Sequence, residues 1–212
     1  MNTQNSSKTV FIAKRAFDIV GALTLLVITA PFFPFIALLI KGTSIGPVIY
    51  RQLRIGKYSQ KKAVLFEMFK FRTMYCDAEA KSGAVWATVN DPRITPIGLF
   101  LRKTRLDELP QLINVLKGEM SLIGPRPERP VLYKKLNDAI PFFAERTYGV
   151  LPGITGLAQV NQGYDTCLDD VRRKVAFDHS YSLCMCSFLL WIKTDFQIVV
   201  RTIVVVIQGR GQ

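Results

Sequence analysis

From Ala16 to Ile40 the chain is almost wholly apolar, interrupted only by Asp18 and two threonines, and it carries prolines at positions 31 and 34. As one straight helix such a run reaches about 37 Å at 1.5 Å per residue, enough to cross the roughly 30 Å of a bilayer's hydrocarbon. Proline works against that geometry. It removes a backbone donor and drives its ring against a carbonyl one turn back, at about 3 kcal/mol in a helix interior. The flanks point the same way: Lys14 and Arg15 precede the run, and Lys41, Arg51, Arg54, Lys57, Lys61 and Lys62 follow it with no acid between 41 and 62. Excess positive charge marks a cytoplasmic flank, and here both flanks carry it.

A helix, break, helix that enters one leaflet and returns satisfies both observations, because arms of roughly 21 Å and 14 Å are each too short to span. The sequence therefore predicts a polar N-terminal tail over residues 1–13, a re-entrant membrane hairpin over 14–41 broken at Pro31 and Pro34, and a cytosolic domain over 42–212. A plain kinked transmembrane helix is the alternative, since neighbouring groups rescue proline in membranes. A cleaved signal peptide is rejected, because the run is long for such a segment and shows no small-residue cleavage site.

The composition agrees with a membrane surface. Among 212 residues, 28 Lys and Arg stand against 16 Asp and Glu, a net charge of +12, yet 49% of residues are apolar and the mean hydropathy is +0.21. A disordered chain and a long multi-domain machine are excluded, while basic and apolar residues together suit anionic headgroups. Cys76, Cys167, Cys184 and Cys186 lack the spacing of a disulfide framework and form no C-x-x-C pair, so they read as reduced. With His179 the only histidine, no Cys-His zinc set and no H-E-x-x-H helix can be assembled. His179 itself reads as a surface or satisfied side chain.

Beyond the apolar run the fold reads as α+β, mainly helical, with short strands and surface amphipathic helices. Residues 47–74 have strand character around a basic turn at Gly56, residues 97–117 take up helical spacing, and GPRPERP (124–130) is held extended by its prolines. A helix is expected over 131–148, a loop over 151–163 and helix over 169–207, its end apolar enough to lie against core or headgroups.

The stretch TRLDELPQLINVLKG (104–118) reads as a helix. Leu109, Leu112, Ile113 and Leu116 form a core-facing stripe, Gly118 stops it, and Pro110 falls in the first turn. That spacing puts Asp107 at or beside the N-cap with Glu108 next to it. Capping alone would account for two such carboxylates, but the surroundings are cationic: Arg102, Lys103 and Arg105 come just before, and Arg126 and Arg129 sit on the proline-framed loop. Carboxylates among arginines suit a phosphate and a divalent metal, and a carboxylate screened by cations can attack phosphorus. No P-loop and no D-x-D pair occur.

The stretches KRAFDIV, GPVIYRQLRIGK, FKFRTM, DPRITPIGLFLRKTRLDELPQLINVLKGEMSLIGPRPE, GITGLAQVN and TDFQIVVRTI, spanning about residues 14–207, resemble the bacterial sugar transferase family of monotopic phosphoglycosyl transferases in its compact form. The resemblance implies that Asp107 is a nucleophile and Glu108 completes a dyad near a bound Mg²⁺, for which both are ligand candidates. It further implies that Arg102 and the Pro125-Arg126-Pro127 loop meet phosphate. Gly153, Thr155, Gly156 and Gln159 are candidates to line the substrate site, beside the plainer reading of a turn that needs glycine dihedrals. Asp178 and Asp195 match late acids of the family without an assigned role. Gln162 and the Cys184-Met185-Cys186 stretch depart from the family pattern.

The implied reaction is ping-pong: Asp107 attacks the β-phosphate of a UDP-sugar, UMP leaves, and undecaprenyl phosphate takes the phosphosugar from Asp107. The expected setting is the cytoplasmic face of a bacterial inner membrane, at the initiating step of exopolysaccharide, capsule, O-antigen or glycoprotein glycan assembly. Nucleic acid is not an expected partner. The alternative is an idle membrane adaptor whose basic stretch binds anionic lipid or nucleic acid. The sugar is left open, and monomer and homodimer are equally compatible with the sequence.

Overall fold

The computed structural model describes residues 3–59, 62–80, 83, 91–163 and 167–209. Helix α1 (Thr3–Thr29) runs into a 3-10 turn (Ala30–Phe32) and on into α2 (Phe33–Thr43). The helix starts at Thr3, so it takes in most of the polar segment that precedes Lys14. Pro31 and Pro34 each sit in the first turn of a new helical segment, where a missing N–H costs no hydrogen bond. The break expected from the prolines falls at the 3-10 turn between the two helices. Thr24 and Thr29 satisfy their hydroxyls on the carbonyls of Val20 and Leu25, at 2.9 and 2.6 Å, which explains their tolerance in an apolar run.

Helix α1 buries every fourth residue, Val10, Lys14, Asp18 and Ala22, and leaves Ile12, Val20, Val27 and Ile28 exposed. Asp18 accepts from Ser121 Oγ and Leu122 N, both at 2.9 Å. Lys14 donates to Asp195 at 3.0 Å, and the same carboxylate accepts from Tyr181 Oη at 2.8 Å and Trp191 Nε1 at 2.7 Å. Asp195 therefore ties the N-terminal helix to the C-terminal one. Residues 8–43 form the one helical segment among the described residues long and apolar enough to cross a membrane.

Strands β1 (Ile49–Ser59) and β2 (Lys62–Phe71) pair antiparallel, with Arg51 opposite Phe69. Gly56 is not the turn that the sequence suggested. It lies within β1, where the register shifts between Ile55 and Tyr58, and a Cβ there would stand 3.1 Å from Val64 O. The inner face, Phe66 and Met68, packs with Ala22, Leu112, Val115 and Met120; full burial of such side chains contributes about 1.5–3 kcal/mol each.

The helical stretch expected over 97–117 is divided into α3 (Pro96–Lys103), a 3-10 turn (Leu106–Glu108) and α4 (Gln111–Lys117). Arg105 takes a left-handed conformation, φ 58°, which ends α3, and Pro110 delays α4 until Gln111. Leu112 is buried and Gly118 ends α4 at φ 82°, as the spacing predicted, but Ile113 is 41% exposed and Val115 takes its place in the core.

β3 (Ser121–Ile123) pairs parallel with β4 (Gly153–Thr155), and β4 and α6 (Leu157–Asn161) occupy part of the 151–163 stretch that read as loop. The helix expected over 131–148 is α5 (Pro130–Ala139), stopped before Pro141 and Phe142 (φ 60°) and followed by a 3-10 turn (Ala144–Thr147). The last helical stretch is divided into α7 (Leu168–Cys184) and α8 (Phe188–Ile207). Helix α8 buries Trp191, Thr194, Asp195 and Ile198 and exposes Leu189, Phe196, Ile203 and Ile207.

Candidate active site

Asp107 and Glu108 lie in the 3-10 turn ahead of α4, and neither caps that helix, whose N-cap position is Pro110. Both are buried, at 6% and 5% exposure. Capping therefore does not account for them, and the two carboxylates stand in different environments. Glu108 is enclosed by cations: Lys70 Nζ at 2.8 Å and Arg126 Nη2 at 3.1 Å from Oε1, and Arg105 Nη1 at 3.6 Å from Oε2. Those cations hold its carboxyl far below the usual range, overcoming the opposing effect of burial. Asp107 has Lys70 as its one ion-pair partner among the described residues, at 3.8 Å. Burial raises its pKa above the usual value, with Glu108 adding to the rise, while Lys70, Arg102 and Arg126 favour the charged form.

Lys70 is the residue that sequence reasoning missed. Strand β2 places it between the dyad carboxylates, largely buried, and burial pulls its ammonium below the ordinary lysine value. Its signal was a lysine set between two phenylalanines in the FKFRTM stretch. Asn114 on α4 fixes the spacing: its Oδ1 accepts from Phe69 N at 3.0 Å and its Nδ2 donates to Glu67 O at 2.7 Å, stitching α4 to the strand that carries Lys70. At the other end of α4, Arg15 donates to the carbonyls of Val115 and Leu116 at 2.6 and 2.9 Å, joining the apolar helix to the same element.

The remaining candidates divide. Arg126 reaches the dyad, with Pro125 and Pro127 framing it on the loop after β3. Arg102 closes α3, partly exposed, and acts on Asp107 through its charge. Arg129 turns away and pairs through both nitrogens with Glu79, at 2.8 and 2.7 Å. Gln159 makes no bond to the dyad, and both polar atoms of its amide are buried without a hydrogen-bond partner among the described residues. Gly153 and Gly156 are required by close approach rather than by dihedral angle, since a Cβ on either would stand 2.1 Å from the backbone of Gly124. Thr155 bonds to Thr202 at 2.8 Å. Asp178 pairs with Arg146 at 3.0 Å. His179 Nε2 lies 3.1 Å from Phe142 O, a satisfied side chain, and no disulfide joins the four cysteines among the described residues.

Two adjacent carboxylates, one of them without a hydrogen bond among the described residues, fit a magnesium ion that draws its other ligands from water and substrate phosphate. Among the described residues no group of three or more His, Cys, Asp or Glu gathers as an all-protein cage.

The bacterial sugar transferase family profile matches residues 9–209. The chain is 42% identical over 198 residues to the UDP-N-acetylgalactosamine-undecaprenyl-phosphate N-acetylgalactosaminephosphotransferase of Aeromonas hydrophila, covering 93% of this chain and 44% of that protein. It is 40% identical over 197 residues to the undecaprenyl-phosphate glucose phosphotransferase of Komagataeibacter xylinus, 91% of this chain and 35% of that one. A UDP-glucose:undecaprenyl-phosphate glucose-1-phosphate transferase of Caulobacter vibrioides is 39% identical over 194 residues, 91% of this chain and 68% of the relative. The chain thus spans less than half the length of the first two.

Proposed function

The chain belongs to the bacterial sugar transferase family, and we propose that it transfers a sugar 1-phosphate from a UDP-sugar to undecaprenyl phosphate through a phosphosugar held on Asp107. The observation that carries this reading is the unequal dyad. Glu108 is neutralised by three cations, whereas Asp107 keeps a carboxylate with one distant partner, beside Arg102 and Arg126. A buried carboxylate with little hydrogen bonding is a nucleophile with little solvation to lose, and the surrounding cations offset repulsion from an incoming phosphate.

In the first step an Asp107 oxygen forms a bond to the β-phosphorus, the bond from that phosphorus to the bridging oxygen breaks, and UMP leaves with the bridging oxygen. In the second, an oxygen of undecaprenyl phosphate forms a bond to the same phosphorus and Asp107 is released as carboxylate. No net proton transfer is required in either step. Arg126 and Arg102 orient the diphosphate, and Lys70 holds Glu108 and screens Asp107. Asp107 and Glu108 would hold Mg²⁺, which when bound neutralises phosphate charge.

The proposed setting is the cytoplasmic face of a bacterial inner membrane, with α1 and α2 as the arms of a re-entrant hairpin. Both arms rest on the same body: Val10 packs with Trp191 and Ile198, while Ile36 and Ile40 pack with Phe71 and Leu101. The relatives' names share undecaprenyl phosphate and carry different sugars, and the role proposed for this chain is the initiating step of surface glycan assembly.

The test is UMP release by detergent-purified protein with Mg²⁺ and undecaprenyl phosphate across a panel of UDP-sugars, followed by labelled sugar phosphate with the lipid withheld. Wild type should release UMP with one sugar and carry the label, and Asp107→Asn should do neither. Normal turnover by Asp107→Asn would end the covalent scheme.

A further inference from the structure

Four consecutive carbonyls of the proline-framed loop are each held by a separate donor. Pro125 O accepts from Gly153 N at 2.9 Å, Arg126 O from Arg146 Nη2 at 2.8 Å, Pro127 O from Arg54 Nη1 at 2.9 Å, and Glu128 O from Ile55 N at 2.8 Å. Pro125 and Pro127 offer no N–H of their own, so the loop's frame rests heavily on its acceptors. The donor at Arg126 is unusual. Arg146 is 3% exposed, its ring-facing side lies 4.7 Å from the Phe143 centroid, and its other nitrogen donates to Asp178 Oδ2 at 3.0 Å. Asp178, on α7, is 1% exposed.

A guanidinium enclosed in this way has no free edge for a substrate. Its planar fork holds two acceptors in a fixed relation, which an ammonium on a flexible stem does not. We infer that Asp178 and Arg146 are positioning residues for Arg126: α7 fixes the Arg146 fork, the fork fixes the Arg126 carbonyl, and the Arg126 guanidinium is thereby delivered to Glu108. On the transferase reading, on which this inference rests, the same tether sets where Arg126 meets the donor phosphate. It gives Asp178, some 70 residues from the dyad in sequence, a defined task.

The experiment is a double-mutant cycle with a readout independent of turnover. Arg146→Lys keeps a cation for Asp178 and loses the fork; it should lower kcat/KM for the UDP-sugar about 10- to 50-fold, as expected for a misplaced orienting group. Made in an Arg126→Gln background, the same change should cost less than about twofold, because a residue that acts through Arg126 has nothing left to position. Losses that multiply in the double variant overturn the inference. In parallel, amide hydrogen exchange at Gly153 and Ile55, whose N–H groups donate to Pro125 O and Glu128 O, should speed up in both Arg146→Lys and Asp178→Asn while the amides paired between β1 and β2 keep their protection, and unchanged exchange at 55 and 153 likewise overturns it. Wild-type silence with every UDP-sugar would count against the transferase reading alone, and the exchange measurement would still decide the tether.

Discussion

The Lys70 ammonium donates to Glu108 Oε1 at 2.8 Å across 38 positions of sequence, placing a cation from a strand against a carboxylate from a 3-10 turn. The same ammonium is the nearest cation to Asp107. Replacing it with methionine of similar length leaves Glu108 to Arg126 and Arg105 and removes the nearest of the cations that screen Asp107. Lys70→Met should lower UMP release about 100-fold or more, the scale of losing one preorganised charge in a dry site, while costing about 1–3 kcal/mol of stability. Activity and thermal melting of the purified variant check both, and near-normal release would remove Lys70 from the site.

Arg105 combines two effects that substitution can separate. Its φ of 58° is unfavourable for a side chain with a Cβ, and its guanidinium stands 3.6 Å from Glu108. Glycine relieves the first and loses the second, whereas alanine keeps the strain and loses the charge. Arg105→Gly should therefore be more stable than Arg105→Ala by about 1 kcal/mol, read as roughly 2–4 °C in melting temperature at this chain length. Both variants should lose activity to a similar degree. A melting temperature for the alanine variant at or above that of the glycine variant would show that the backbone at 105 relaxes freely.

Asp178 gives stability a dependence on pH whose sign is opposite to that of Glu108. Burial pushes Asp178 up to about 6 from an ordinary 3.8, against Arg146, Lys174 and His179, which favour its charge. The folded state therefore keeps a proton that the unfolded chain loses first, so stability falls as pH rises between these values and levels off above about 6. The span corresponds to a loss on the order of 3 kcal/mol. Asp178→Asn removes that slope, and its cost from an unpartnered Arg146 does not titrate in this range. The melting-temperature advantage of wild type over Asp178→Asn should shrink from pH 4 to pH 6. A difference that stays constant, or widens, across that range contradicts the expectation.

How far the sequence foretold this arrangement depended on whether a feature was set locally. The apolar run, the strand character of 47–74 and the Gly118 stop were legible because spacing and proline chemistry decide them within a few residues, whereas Asp107 and Glu108 stood out through the cationic residues around them and the family resemblance. The division of the 97–117 stretch was not, since an arginine carries no local signal for the left-handed conformation that Arg105 adopts. Strands of three residues, β3 and β4, are too short to show a period, and the Gly124, Gly153 and Gly156 contacts are visible only once two distant loops meet. Lys70 and the Asp178–Arg146 pair are long-range charges whose partners no local pattern names. Asp18 read as an interruption of a membrane segment, and its two bonds to β3 explain why a carboxylate is tolerated there.

The proposed hairpin makes the most direct prediction about topology. If α1 and α2 return to one side, positions at the two ends of the apolar run share a compartment, and the positions near its break belong to the bilayer. Lys8 is exposed before the run, Gly42 stands after it with open space where a Cβ would project, and Phe32, at the break, is 61% exposed. In a chain with its four native cysteines replaced by serine, single cysteines at 8 and 42 should resist a membrane-impermeant maleimide in intact spheroplasts. Both should react in inverted vesicles, and one at 32 should resist in both preparations. A helix that spans would instead expose 8 and 42 to opposite sides, one reacting in each preparation. The physical reason to expect the first pattern is the anchoring at both ends: Lys14 is bound to Asp195, and the Arg72 guanidinium donates to the carbonyls of Ser44 and Ile45, both at 2.7 Å. Crossing the bilayer would have to break one of these buried contacts and leave a charged group without its partner, a cost of about 3–5 kcal/mol for the buried lysine pair, whereas a return through the same leaflet keeps both.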